Sequence, residues 1–235
     1  MEVVIKTFPV MLMGAAATLG VTLTSVAFGC IIGLIVGLAR LSKKRSIKLA
    51  ATAYVDFFRG TPLLVQIMII YFALPLPQYF RDLQTFFVDR GIAPWFIESH
   101  MFPVFLAGVV ACSLNSGAYI AEIFRAGVQS IERGQVEAAR SLGMTAGQAM
   151  RYVILPQAFK RVIPPLGNEF IAMLKDTSLL SVIGFAELTR RGQLIVGQTY
   201  VALPVWFTVA LLYLAMTFTF SRLVDYTERR LKTGD

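Results

Sequence analysis

Five apolar segments, at about residues 8–38, 49–74, 103–124, 164–184 and 204–220, alternate with more polar ones. A helix crosses a bilayer core with about 20 apolar residues, so the pattern predicts five transmembrane helices. The polar segments set their direction. Arg40, Lys43, Lys44, Arg45 and Lys48 fall within nine positions with no acidic residue among them. Lys and Arg collect in cytoplasmic loops, which puts the N-terminus outside. Residues 75–101 hold Arg81, Asp82, Asp89, Arg90 and Glu98 without a basic excess. They read as an external loop, with Trp95 and Phe96 suited to the membrane interface. Residues 185–203, with Arg190 and Arg191, form a second external connection; Trp206 anchors the outer end of the last span, and Arg222, Arg229, Arg230 and Lys232 return the tail inside. The expected fold is a single all-α integral membrane domain over residues 1–235, with the N-terminus outside and the C-terminus cytoplasmic.

Several polar residues interrupt the apolar segments. Gly29, Gly33 and Gly37 form a small-residue row on the first helix, which suits close approach of a second helix, within this subunit or at a subunit interface. Arg59-Gly60-Thr61-Pro62 lies near the centre of the second segment. An arginine at that depth faces a polar interior, and Thr61 before Pro62 reads as an N-cap and first helical residue. Two readings stand: a helix broken at mid-membrane, or a surface helix ending near Phe58 with the span beginning at Pro62. Gln66 lies one turn beyond Pro62 on the same face. Asn115, Tyr119 and Glu122 are spaced i, i+4, i+7 and give the third segment one polar face; Glu122 can meet a ligand or pair with Arg125. The fourth segment carries Asn168, Glu169, Lys175 and Asp176, with Glu169 and Asp176 seven apart on one face. Each central charge costs about 2.5–3.5 kcal/mol against lipid, so this stripe points to a polar pathway or to internal ion pairs.

Composition supports the membrane reading. The chain is 56% hydrophobic and 15% charged, against about 25% charged in soluble domains. Its net charge of +8 would raise nucleic acid as a partner of a soluble protein; here loop charge accounts for it, and no nucleic acid is expected. The first segment is too long for a signal-peptide core and is expected to be retained. Cys30 and Cys112 lie inside apolar segments without a CxxC spacing, and His100 is the one histidine, so neither a disulfide framework nor a metal site is expected.

Residues 127–161 are too polar to span and carry Arg133, Arg140, Arg151, Lys160 and Arg161 against Glu132 and Glu137. They are expected inside. Glu137 to Leu142 reads as a short helix ended by Gly143 in the left-handed conformation. Thr145 and Gln148 have the spacing of a capping box that starts a second helix, which Pro156 is expected to stop.

Glu137-Ala138-Ala139, Gly143, then nine residues and Val153-Ile154-Leu155-Pro156 resemble the EAA loop of ABC importer permeases, with Val153 where that pattern has isoleucine. Arg59 to Gln66, Asn115 to Glu122 and Lys175 to Leu179 resemble the polar amino acid branch of that family. Pro164 to Asn168 and Ala186 to Arg190 are most similar to its glutamine-type members. The resemblance implies a type I importer permease fold in a bacterial inner membrane. It implies two permease subunits, identical or paired with a sister chain, two ATPase subunits that hold ATP and Mg, and an extracytoplasmic amino-acid-binding protein. It also implies coupling through the loop, with Glu137 contacting the ATPase and Gly143 allowing the turn, and with Ala138, Ala139, Leu155 and Pro156 completing the motif. The chain has no GxxxxGK[ST], so no nucleotide or other cofactor is expected in it.

The expected function is uptake of a polar amino acid, either glutamine or a basic one such as arginine, histidine or lysine. Arg59, or amides near Thr61 and Pro62, would hold the carboxylate; Glu122, Glu169 or Asp176 would hold the ammonium group. Glu169, beside Asn168, suits the cationic side chain of arginine, lysine or histidine if it faces the cavity. A rival reading is an ion-coupled carrier acting without an ATPase, which intramembrane charges suit. Five spans without an evident inverted repeat, and a structured basic loop, argue against it. An enzyme is disfavoured by the absence of HExxH and GxSxG.

Overall fold

Helices α1 (Glu2–Arg40) and α5 (Phe102–Gln129) make the most extensive contact in the molecule and frame the rest. The computed structural model describes residues 2–74, 76–91, 99 and 101–231; Trp95, Phe96, Glu98, His100 and Lys232 lie outside the described residues. The α1–α5 contact follows from side-chain size. The buried face of α1 is Gly14, Thr18, Thr22, Ser25, Gly29, Gly33 and Gly37, repeating every three or four residues. A Cβ on Gly33 would come within 2.5 Å of Ile120, and one on Gly29 within 3.1 Å of Ser116. The small-residue row therefore packs inside the subunit. Thr22 donates to Thr18 O at 2.7 Å, so its hydroxyl needs no partner on α5.

Around this pair lie α2 (Arg45–Gly60), α3 (Leu63–Met68, continued by a π turn Ile69–Ala73) and α4 (Leu76–Asp89). They are followed, beyond α5, by α6 (Arg133–Ser141), α7 (Ala146–Ala149, continued by a π turn Met150–Ile154) and α8 (Leu155–Asp176, continued by a 3-10 turn Thr177–Ile183). The chain ends in α9 (Leu188–Thr199) and α10 (Ala202–Leu231). No strand occurs among the described residues. One apolar core joins α1, α3, α5 and the end of α8 through Val21, Ile67, Ile120, Met173 and Leu180; a second joins α1, α9 and α10 through Met11, Leu188 and Val205. Cys112 is buried in the first, and both cysteines are free thiols.

Among the described residues, three helices, α1, α5 and α10, are long and apolar enough to cross a membrane, and α2 with the α3–π stretch forms a fourth candidate bent by 105°. The expected fourth segment, 164–184, is divided between α8 and the 3-10 turn, and Pro164 and Pro165 lie inside α8 instead of opening a helix. Pro156 does not stop a helix either. The backbone stays helical through Ile154 and Leu155, and the π turn directly before Pro156 shifts the hydrogen-bond register where its N–H is missing. The presumed external loops also contain helices, α4 and α9.

Candidate functional site

The break between α2 and α3 forms one wall of a cavity of about 580 Å³. The sequence breaks here because Pro62 cannot continue the α2 hydrogen-bond ladder. The N-cap of α3 is Pro62, one residue later than expected, and Thr61 turns backwards: its hydroxyl donates to Phe57 O at 2.8 Å and closes the end of α2. Arg59, Thr61, Asn115, Tyr119, Glu169 and Asp176 line the cavity together, brought from α2, α5 and α8. The Arg59 guanidinium stands 5.3 Å from the Tyr119 ring centroid, a cation–π contact that holds a long flexible side chain. Glu169 accepts from Ser116 Oγ at 2.8 Å, which fixes its carboxylate against α5. One cation and two carboxylates thus line a space of small-molecule size, an arrangement that complements a zwitterion with a further polar group.

The other expected pathway residues lie elsewhere. Gln66 is buried behind the wall and bonded to Phe58 O, Thr61 and Asn115. Asn168 and Lys175 are exposed and outside the lining. Glu122 sits between Arg40 and Arg125 and pairs with both, with Arg125 Nε at 3.0 Å. It is one turn beyond Tyr119, where the end of α1 arrives with Arg40. The Arg125 partner was legible as an i, i+3 pair; Arg40, 82 residues away, was not.

The second feature is the helical loop. Glu137, Ala138 and Arg140 of α6 are exposed, while Ala139 is buried. Gly143 has φ +85°, its N–H donates to Arg140 O at 3.0 Å, and Met144 N donates to Ala139 O at 3.2 Å. The Thr145–Gln148 capping box forms in both directions, at 3.2 and 2.8 Å. Ile131, Ile154 and Ala158 pack as a small core beneath α6 and tie the loop to α8. Leu142 is 82% exposed at the tip. Leu155 and Pro156 are also exposed, at the start of α8.

Glu187 was not singled out as a site residue, yet it is fully buried. It caps α9, accepting from Thr189 N at 2.8 Å and Arg190 N at 2.7 Å, and takes the Tyr213 hydroxyl of α10 at 2.9 Å. No local signal marked it, because glutamate is an uncommon N-cap.

Residues 26–233 match the family described as binding-protein-dependent transport system inner membrane component. The chain belongs to this family. The permease is 43% identical over 224 residues to the glutamine transport system permease protein GlnP of Escherichia coli K12, covering 95% of this chain and 94% of that one. It is 36% identical over 231 residues to the arginine transport system permease protein ArtQ of Bacillus subtilis 168, covering 98% and 96%. Among solved structures it resembles an amino acid ABC transporter crystallised with histidines, with a TM-score of 0.82 at 44% identity over 96% of both chains. The inward-facing MetNI methionine transporter, at 21% identity and a TM-score of 0.70 over 97% and 99% of the chains, shares the fold.

Proposed function

We propose that this permease carries a polar amino acid through the cavity between α2, α5 and α8, driven by ATPase subunits that dock on the α6–α7 loop. Two such ATPases, holding ATP and Mg, a second permease subunit and an extracytoplasmic binding protein complete the importer. The chain itself is a passive gate with five spans, counting the bent α2–α3 pair and α8 with its 3-10 turn, with its N-terminus outside and its C-terminus inside. The relatives named for glutamine and arginine transport support the cargo class.

The observation that carries the reading is the continuity of α8. It follows the loop through the π turn at Met150–Ile154 and presents Glu169 and Asp176 to the cavity. A displacement imposed on Glu137, Ala138 and Gly143 reaches α8 through the Gly143 turn and the Ile131–Ile154–Ala158 contact, and α8 carries it to two of the charged cavity groups. Arg59 binds the carboxylate of the cargo, and Glu169 and Asp176 share its ammonium group and polar side chain.

Glu169→Gln tests the assignment in vesicles containing the complete importer. Loss of one charged contact is worth about 1.5–3 kcal/mol, so uptake of arginine is expected to fall at least about tenfold relative to glutamine. An unchanged ratio between the two removes Glu169 from the recognition site.

A further inference from the structure

Gln66 and Asn115 are only 3% and 4% exposed, and together they fasten the break between α2 and α3. Gln66 Nε2 faces Phe58 O at 2.9 Å, Thr61 O at 3.0 Å and Thr61 Oγ1 at 2.9 Å. The Thr61 hydroxyl spends its own proton on Phe57 O, so all three groups around that nitrogen act as acceptors. Only an N–H₂ fits there, which settles the orientation of the amide. Its Oε1 then accepts from Asn115 Nδ2 at 3.0 Å, and the same Nδ2 reaches Phe58 O at 3.3 Å. Phe58 O is one of the last carbonyls of α2, which have no partner within the helix. Here a side chain of α3 and one of α5 supply the donors. Three helices therefore meet in one buried network whose subject is backbone, not a ligand.

We propose that the Gln66–Asn115 amide pair is a latch that holds the 105° bend of α2 and α3 against α5 and thereby sets Arg59 and Thr61 at the cavity wall, with Gln66, buried behind that wall, a positioning residue that makes no contact with the cargo, and Asn115, which also lines the cavity, committing its Nδ2 to the latch. The inference rests on the reading of this cavity as the pathway. With the latch closed, Arg59 is held over Tyr119, opposite Glu169 and Asp176. With it open, Phe58 O at the end of α2 loses both side-chain donors, the bend angle is no longer fixed, and the guanidinium is no longer held at the wall it shares with the two carboxylates.

The test uses the full importer, with bioorthogonal spin labels at the exposed residues Ala53 and Val65 and spin dilution by unlabelled chain. The distance across the bend is expected to be narrow in the native protein and broad in Gln66→Leu. Gln66→Glu keeps the size of the side chain but sets a carboxylate against three acceptors. When protonated it regains one donor. Uptake by Gln66→Glu relative to native is expected to be reduced at least about tenfold at pH 8 and to recover as the carboxyl protonates at lower pH, while Gln66→Leu shows no recovery. The ratio of glutamine to arginine uptake stays native in both. A narrow distance in Gln66→Leu, or a changed cargo ratio, overturns the proposal. If the native importer carries neither amino acid, the pathway reading fails, and the spin-label distance still decides whether the latch exists.

Discussion

Glu187 shows how much one side chain can hold. Its carboxylate receives two backbone N–H groups of α9 and the Tyr213 hydroxyl of α10, and Tyr213 lies 3.0 Å from the Thr189 hydroxyl. Beside it, Leu188 N donates to Thr18 Oγ1 of α1 at 3.2 Å. The α1–α9–α10 junction is thus polar at its centre and apolar around it, with Met11, Leu188 and Val205 fully buried. Glu187→Ala leaves two backbone donors of α9 without their acceptor and the Tyr213 hydroxyl with only that of Thr189, an expected loss of about 2–3 kcal/mol, whereas Glu187→Gln keeps one acceptor oxygen and loses less. Thermal unfolding of the detergent-purified importer should give the order native, Glu187→Gln, Glu187→Ala. Equal midpoints for native and Glu187→Ala would show that the network contributes nothing to stability.

At the scale of the element, the α6–α7 turn depends on Gly143. Its φ of +85° disfavours a side chain by conformation, while a Cβ there would meet no atom within 4 Å of this chain. Conformation and bulk can therefore be separated. Asparagine tolerates left-handed backbone and a β-branched residue does not. Gly143→Asn is expected to keep most ATP-coupled uptake, and Gly143→Val to lose most of it. Equal loss in both would mean that the partner surface packs on this position and that the turn itself matters little. The turn was legible in the sequence because its signals are local: a glycine after the helix, and Thr145 and Gln148 three residues apart. Pro156 and Thr61 were misread for a related reason. A proline announces a helix boundary without saying which side of it the helix lies, and the π turn at Met150–Ile154, which lets α8 begin at Leu155, has no sequence signature. Long-range pairings were the least legible. The Arg40–Glu122 pair and the Asn115–Gln66 bond join residues 82 and 49 positions apart, and periodicity could place them only on polar faces.

For the whole molecule, the bent α2–α3 pair decides on which side everything after it lies. If the pair crosses the membrane, α4 lies outside, α5 runs inwards, and the α6–α7 loop reaches the cytoplasm where an ATPase can dock. If the pair is re-entrant, α4 stays with the basic residues that follow α1, α5 runs outwards, and the loop is stranded on the wrong side. The 105° bend alone is compatible with both, yet only the crossing form allows coupling by the route proposed above. Single cysteines at the exposed positions Lys43, Asp82 and Gln148, in a chain lacking its native cysteines, separate the two forms. In intact spheroplasts a membrane-impermeant maleimide should label the Asp82 position only; Lys43 and Gln148 should react after lysis. Labelling of Gln148 in intact spheroplasts, with Asp82 protected, would make the pair re-entrant and end the coupling role of the loop. The expected pattern would instead make the bend a crossing, with Arg59 and Thr61 held inside the bilayer by the amide latch behind them.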